Sequence, residues 1–137
     1  MDEIVSIADI LSAISDDKSL VLFNTIALSN SDGSDILISN LKLTRKQYYS
    51  RISKLVKVDL VVRRNGKYFL TSLGKIVYDA QKIIGNAVGD YWKLKAVDTL
   101  EITDQMPKEE YNEIINALIE NEKIKEGLKI KSYPVAH

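Results

Sequence analysis

Hydrophobic positions recur at helical spacing along most of this chain, and they switch to short strand-like runs only once. Residues 2–14 place Ile4, Ile7, Leu11 and Ile14 on one side, as a short amphipathic helix or a flexible leader would. Ser15-Asp16-Asp17 then supplies a capping cluster with acids for a first turn. The helix it predicts, roughly 17–29, carries Leu20, Phe23, Ile26 and Ala27 for a core. Ser29 to Gly33 is a turn cluster. Ser34 or Asp35 can cap a second short helix, roughly 35–42, that points Leu37, Ile38 and Leu41 inward.

Only Lys42-Leu43 separates that helix from the next start signal, Thr44. Two helices this close form a helix-turn-helix unit. Its turn needs positive φ, where Gly is commoner than Lys42. The second helix of the unit puts Tyr48, Ile52 and Leu55 on one face and runs out near Asp59, which tolerates the left-handed region better than most residues. Val61-Val62-Arg63-Arg64, Asn65-Gly66 and Lys67-Tyr68-Phe69-Leu70 follow. Asn-Gly between two strand-forming runs predicts a two-residue hairpin, because both turn residues need positive φ. That register sets Arg64 opposite Lys67, Val62 opposite Phe69 and Val61 opposite Leu70. Like charges directly opposite cost up to about 1 kcal/mol, which an anionic partner would remove.

From Ser72 a wide apolar stripe runs through Leu73, Ile76, Val77, Ala80, Ile83, Ile84, Ala87, Val88, Tyr91 and Leu94. Unbroken to Leu100, this helix would span about 40 Å, more than a small domain can cover. Gly85 and Gly89 weaken its interior and make a kink plausible. Thr103 to Met106 reads as a break, and Pro107 suits a first turn. A last helix over about 107–126 buries Tyr111, Ile114, Ile115, Leu118 and Ile119, and Gly127 ends it. The division expected is 1–14 leader or short helix, 15–80 main domain, 81–127 helical extension and 128–137 irregular tail.

Charge sharpens this picture. The net charge is zero over 137 residues, but it is unevenly spread. Residues 1–40 hold seven acids and one lysine, a net of −6. Residues 44–67 hold eight bases (Arg45, Lys46, Arg51, Lys54, Lys57, Arg63, Arg64, Lys67) against Asp59, a net of +7. Residues 101–126 hold eight acids and three lysines, a net of −5. A positive field confined to one helix and one hairpin is the footprint of an anionic partner. The bland alternative is a solvated charged face.

At about 100° per residue, the face opposite Tyr48, Ile52 and Leu55 carries Lys46, Ser50, Ser53 and Lys57, with Gln47, Tyr49 and Lys54 at its flanks. No acid lies there, and the small serines allow close approach to a groove. Lys46, Gln47, Tyr49 and Ser50 occupy the half that reaches base edges, while Arg45, Arg51 and Lys57 suit phosphates. Tyr48 reads as core and Tyr49 as surface.

Other chemistry is not in view. Zero cysteines exclude disulfides and thiolate metal sites. The one histidine, His137, ends the sequence and reads as a solvated tail. There is no phosphate-cradling glycine loop, catalytic set or metal-ligand cluster. The expectation is a protein that is not an enzyme and needs no cofactor. No run nears the roughly 20 apolar residues that span a bilayer, and Met1-Asp2-Glu3 lacks a basic signal-peptide start. A soluble, cytoplasmic, nucleoid-associated protein is expected.

A strand running into Leu70-Thr71 and then Leu73-Gly74 at the start of a helix resembles the exit from the wing in winged helix-turn-helix regulators, including MarR-like and ArsR-like families and related archaeal proteins. The resemblance covers about residues 17–80. It implies a mainly α fold with a small β-hairpin wing (α+β), and sequence-specific binding of double-stranded DNA by a homodimer. It names no effector. The competing class is a winged-helix protein-interaction module. For the homodimer, Ile83, Ala87, Tyr91, Trp92 and Leu94 are the expected seam.

Overall fold

A computed structural model describes residues 5–29, 33–102 and 106–129, with the side chains of 101 and 102 excepted. The order is α1 (Ile7–Ala13), α2 (Asp17–Leu28), α3 (Ser34–Leu41), α4 (Arg45–Lys57), β1 (Val61–Arg64), β2 (Lys67–Leu70), α5 (Ser72–Gly89), α6 (Tyr91–Ile102), α7 (Lys108–Leu118) and α8 (Glu122–Leu128). The fold is mainly α with one antiparallel hairpin, a winged helix-turn-helix arrangement followed by helices. The chain divides into two compact units, Met1–Ala80 and Gln81–His137.

The first unit closes around Leu22, Phe23, Ile26, Leu37, Tyr48, Ile52, Leu55, Leu60 and Val61. Each helix brings one apolar face, and the hairpin base brings Val61, Tyr68 and Leu70. Residues 7–13 are a helix, started by Ser6 and Asp9, which exchange side chain-to-amide bonds. Its buried side is Ile10, Ala13 and Ile14. Ile7 and Leu11, which the spacing groups with Ile14, face solvent while Ile14 is buried, with Ile7 77% exposed. In a seven-residue helix two registers fit the spacing equally well, and Ala13 carries too little hydropathy to decide between them. Ile4 lies outside the described residues.

Four residues of positive φ set the turns. Lys42 has φ 54° between α3 and α4, Asp59 has φ 62° after α4, and Asn65 and Gly66 have φ 51° and 76° at the hairpin tip. The turns therefore fall where the sequence demanded them. The hairpin register also matches, with Val61 opposite Leu70, Val62 opposite Phe69 and Arg64 opposite Lys67. Helix α3 starts one residue earlier than expected, with Gly33 at its cap position and no side-chain cap bond.

Thr71 locks the wing to α5. Its amide donates to the Leu60 carbonyl at 3.1 Å, and its hydroxyl donates to the Asp59 carbonyl. The same Oγ1 accepts the Gly74 amide at 2.9 Å, as a helix cap does. Gly74 is buried, and a Cβ there would overlap the Leu60 carbonyl oxygen. The glycine of the Leu73-Gly74 motif thus marks a close helix–backbone approach.

The second unit closes around Val97, Tyr111, Ile115, Ile119 and Ile124. The helical pattern from Ser72 to Leu100, in which Gly85 and Gly89 each offer a kink, is interrupted at Asp90, directly after Gly89, and runs unbroken through Gly85. The Asp90 amide is shared between the Asn86 and Ala87 carbonyls at 3.0 and 3.1 Å, a tightened turn that follows a residue of low helix propensity, Gly89. The last helix is also two. Ile119 is extended, and Asn121 Oδ1 caps α8 by accepting the Lys123 and Ile124 amides at 3.0 and 3.1 Å. Ile114 and Leu118 are half-buried and Tyr111, Ile115 and Ile119 buried, as their spacing implied. Gly127 lies inside α8 rather than beyond it. The expected tail falls outside the described residues from 130 onward.

Candidate nucleic-acid interface

Helix α4 begins with a reciprocal cap. Thr44 Oγ1 accepts the Gln47 amide at 3.0 Å, and Gln47 Oε1 accepts the Thr44 amide at 3.0 Å. Its apolar face is anchored by Tyr48, Ile52 and Leu55, all buried. Tyr48 is fully buried and its hydroxyl lies 3.0 Å from Ser34 Oγ at the start of α3, which fixes one helix of the pair against the other. Burial pushes the Tyr48 phenol above its ordinary value, against the pull of the Ser34 bond. Tyr49 stands exposed, its ring edge-on to Tyr48 with centroids 5.0 Å apart. A surface tyrosine held by a buried one presents a pre-positioned apolar edge.

The opposite face is formed as its angles require. Lys46, Tyr49, Ser50, Ser53, Lys54 and Lys57 are all exposed. Arg63, Arg64 and Lys67 are exposed on the wing. Six cations, Lys46, Lys54, Lys57, Arg63, Arg64 and Lys67, show no ion pair among the described residues.

The other two bases and Gln47 are engaged within the chain. Arg45 pairs with Asp35 of α3 at 3.1 Å, both well exposed. Arg51 is half-buried, with Nε 3.4 Å from Asp16 Oδ1 and a guanidinium nitrogen donating to the Gln47 carbonyl at 3.3 Å. Gln47 is half-buried and its Oε1 is committed to the cap. Sequence reasoning missed these acids because they arrive from 10 and 35 residues away, where no local pattern connects them to α4. The Gln47 cap did have a local signal, Thr44 followed three residues later by Gln.

Helix α1 lies beside the C-terminal half of α4. Asp9, Ser12, Lys54, Lys57 and Val58 line a cleft of about 480 Å³ there. The end of the basic face thus meets an acid that sequence distance also hid. Of the expected seam, Ala87 and Leu94 pack against the core of the second unit and Ile83 is half-buried, whereas Tyr91 and Trp92 are exposed. Among the described residues no acid, histidine or cysteine group is placed to hold a metal ion. No helix of these residues is long and apolar enough to cross a membrane.

No protein-family model matches the chain, and no curated protein matches it. Among solved structures, the activation domain of the phage T4 transcription factor MotA is similar to this chain at 23% identity and a TM-score of 0.43, covering 69% of this chain and 97% of that one. A likeness at that level assigns no activity.

Proposed function

We propose that this protein is a DNA-binding transcription regulator, of the MarR-like or ArsR-like archaeal type, that reads double-stranded DNA as a homodimer through α4 and the wing. The observation that carries this reading is the exposed face Lys46, Tyr49, Ser50, Ser53, Lys54 and Lys57, to which α4 itself contributes no acid and beside which Asp9 of α1 stands only at the Lys54–Lys57 end, together with the wing cations Arg63, Arg64 and Lys67. Lys46, Tyr49 and Ser50, in the first half of α4, take the base edges, and Ser50 and Ser53 let the backbone approach the groove. Lys54, Lys57, Arg63, Arg64 and Lys67 take phosphates. Gln47 and Arg51 serve mainly to hold α4 in place, and Arg45 must leave Asp35 to reach DNA.

The protein acts without catalysis or a cofactor, in the cytoplasm and on the nucleoid. A second reading, a protein-interaction module of a transcription assembly, draws on the exposed Ile7 and Leu11 of α1. Retention on heparin and duplex-DNA columns separates the two. Elution by moderate salt, lost when Arg63, Arg64 and Lys67 are replaced by alanine, supports DNA. Flow-through at low salt contradicts it.

A further inference from the structure

Among the described residues, Tyr49 and Val56 are the large apolar side chains that α4 leaves exposed, at 46% and 39%. Only Tyr49 lies in the half of the helix that reaches base edges. Its neighbours on that side are polar and exposed: Lys46 one turn before it, Ser50 beside it and Ser53 one turn on. The Tyr49 ring is also braced. It stands edge-on to Tyr48, with an interplanar angle of 84° and centroids 5.0 Å apart. Tyr48 is fully buried, and its hydroxyl lies 3.0 Å from Ser34 Oγ. The brace therefore runs from the surface ring into the core and on to the start of α3.

We propose that Tyr49 determines sequence specificity by packing its ring on the C5-methyl group of a thymine in each half-site. This rests on the DNA-binding reading above and adds a base identity to it. Base edges in the major groove display hydrogen-bond donors and acceptors, and the thymine methyl is the apolar group among them. An aromatic ring pressed on a donor or acceptor takes water from that group and returns no bond, which costs affinity. Pressed on the methyl, the same ring removes apolar surface from water on both sides. The small side chains of Ser50 and Ser53 leave the ring standing clear of its neighbours, so the ring makes the first contact with the groove. Its bracing by Tyr48 means that little rotamer freedom is lost on binding, so the contact adds to affinity rather than offsetting an ordering cost. The ring carbons make this contact, and the Tyr49 hydroxyl is not needed for it.

A uracil scan tests the contact, because uracil differs from thymine only in lacking the methyl. Duplexes enriched by the full-length protein from a random pool supply the sequence, and each thymine is then replaced singly. For the parent, one thymine in each half-site should weaken binding roughly four-fold when its methyl is removed. Tyr49→Phe should keep that sensitivity. Tyr49→Ala should bind more weakly and no longer distinguish uracil from thymine there, with circular dichroism and salt dependence unchanged. With a C·G pair at the same position, 5-methylcytosine should bind the parent more tightly than cytosine and make no difference to Tyr49→Ala. A parent that binds duplex but shows no methyl whose effect depends on residue 49 overturns the thymine contact and leaves DNA binding standing. So does a methyl sensitivity that disappears in Tyr49→Phe, which would assign the role to the hydroxyl. Failure to enrich any duplex overturns the regulator reading and this contact with it.

Discussion

The Tyr48 hydroxyl lies 3.0 Å from Ser34 Oγ, joining the buried face of α4 to the first residue of α3. Tyr48 belongs to the hydrophobic core of the first unit, so Tyr48→Phe removes this link and keeps the packing. The expected loss is about 1 kcal/mol, the net value of one hydrogen bond. A shifted urea midpoint at unchanged m-value would register it.

The division of α4 into a holding side and a reading side predicts opposite behaviour at neighbouring positions. Ile52→Ala empties the middle of the buried face and should cost about 2–5 kcal/mol. Gln47→Ala opens the reciprocal cap and should cost about 1 kcal/mol. Lys46→Ala, on the exposed side, should stay within about 0.5 kcal/mol while weakening DNA binding. Thermal melts of the three rank them. A larger loss for Lys46→Ala than for Ile52→Ala would mean that the faces are reversed.

Gly74→Ala should be among the most damaging small substitutions in the chain. Its new methyl would press on the Leu60 carbonyl, which is backbone and already accepts the Thr71 amide. A cost of roughly 1–3 kcal/mol or more follows from overpacking at a site that cannot give. Gly85→Ala, where open space surrounds the added carbon, should instead hold or raise the melting temperature. Equal melting temperatures for both variants would remove the close approach from the account.

Asp16 gives the fold an acid-sensitive contact. The Ser19 amide, then the Ser19 hydroxyl, hold its carboxyl below the ordinary value of 3.8 against the opposing effect of burial, and the Arg51 guanidinium adds a lesser pull in the same direction as Ser19. A depressed folded value means that the contribution is fully present above the unfolded pKa and is lost as pH falls through the folded one. Melting temperature followed from about pH 6 down to about pH 2 should therefore fall less steeply in Asp16→Asn than in the parent, from a lower starting point. Parallel curves would show that Asp16 contributes nothing through its charge.

Much of the first unit was legible because its signals are local. Thr44 with Gln47, the spacing of Tyr48, Ile52 and Leu55, and Asn65-Gly66 each need only neighbouring residues to act. Lys42 and Asp59 adopt positive φ because the turns on either side of α4 leave no other path, whatever residue occupies them. Ion pairs were not legible, since Asp16 and Asp35 reach Arg51 and Arg45 only once the chain has folded. The break at Asp90 had a local signal in the neighbouring Gly89, but the one at Ile119–Asn121 did not stand out, because the apolar spacing runs on up to it. Asn121 was available as a cap signal, but Leu118 and Ile119 continue the helical pattern up to it. The burial of Leu22 was hidden for a related reason, as it sits beside Phe23 on a helix whose apolar side is wider than one spacing rule describes.

The salt dependence of duplex binding tests the central claim most directly. Six exposed cations per chain make roughly four or five phosphate contacts reasonable for each protomer, so about 8–10 for a dimer and a slope of log K against log salt near −7 to −9. Arg64→Ala with Lys67→Ala should flatten that slope and weaken all sequences alike, whereas Ser50 and Tyr49 substitutions should alter sequence preference and leave the slope in place. A slope near zero for the parent protein would contradict the assignment of α4 and the wing to DNA.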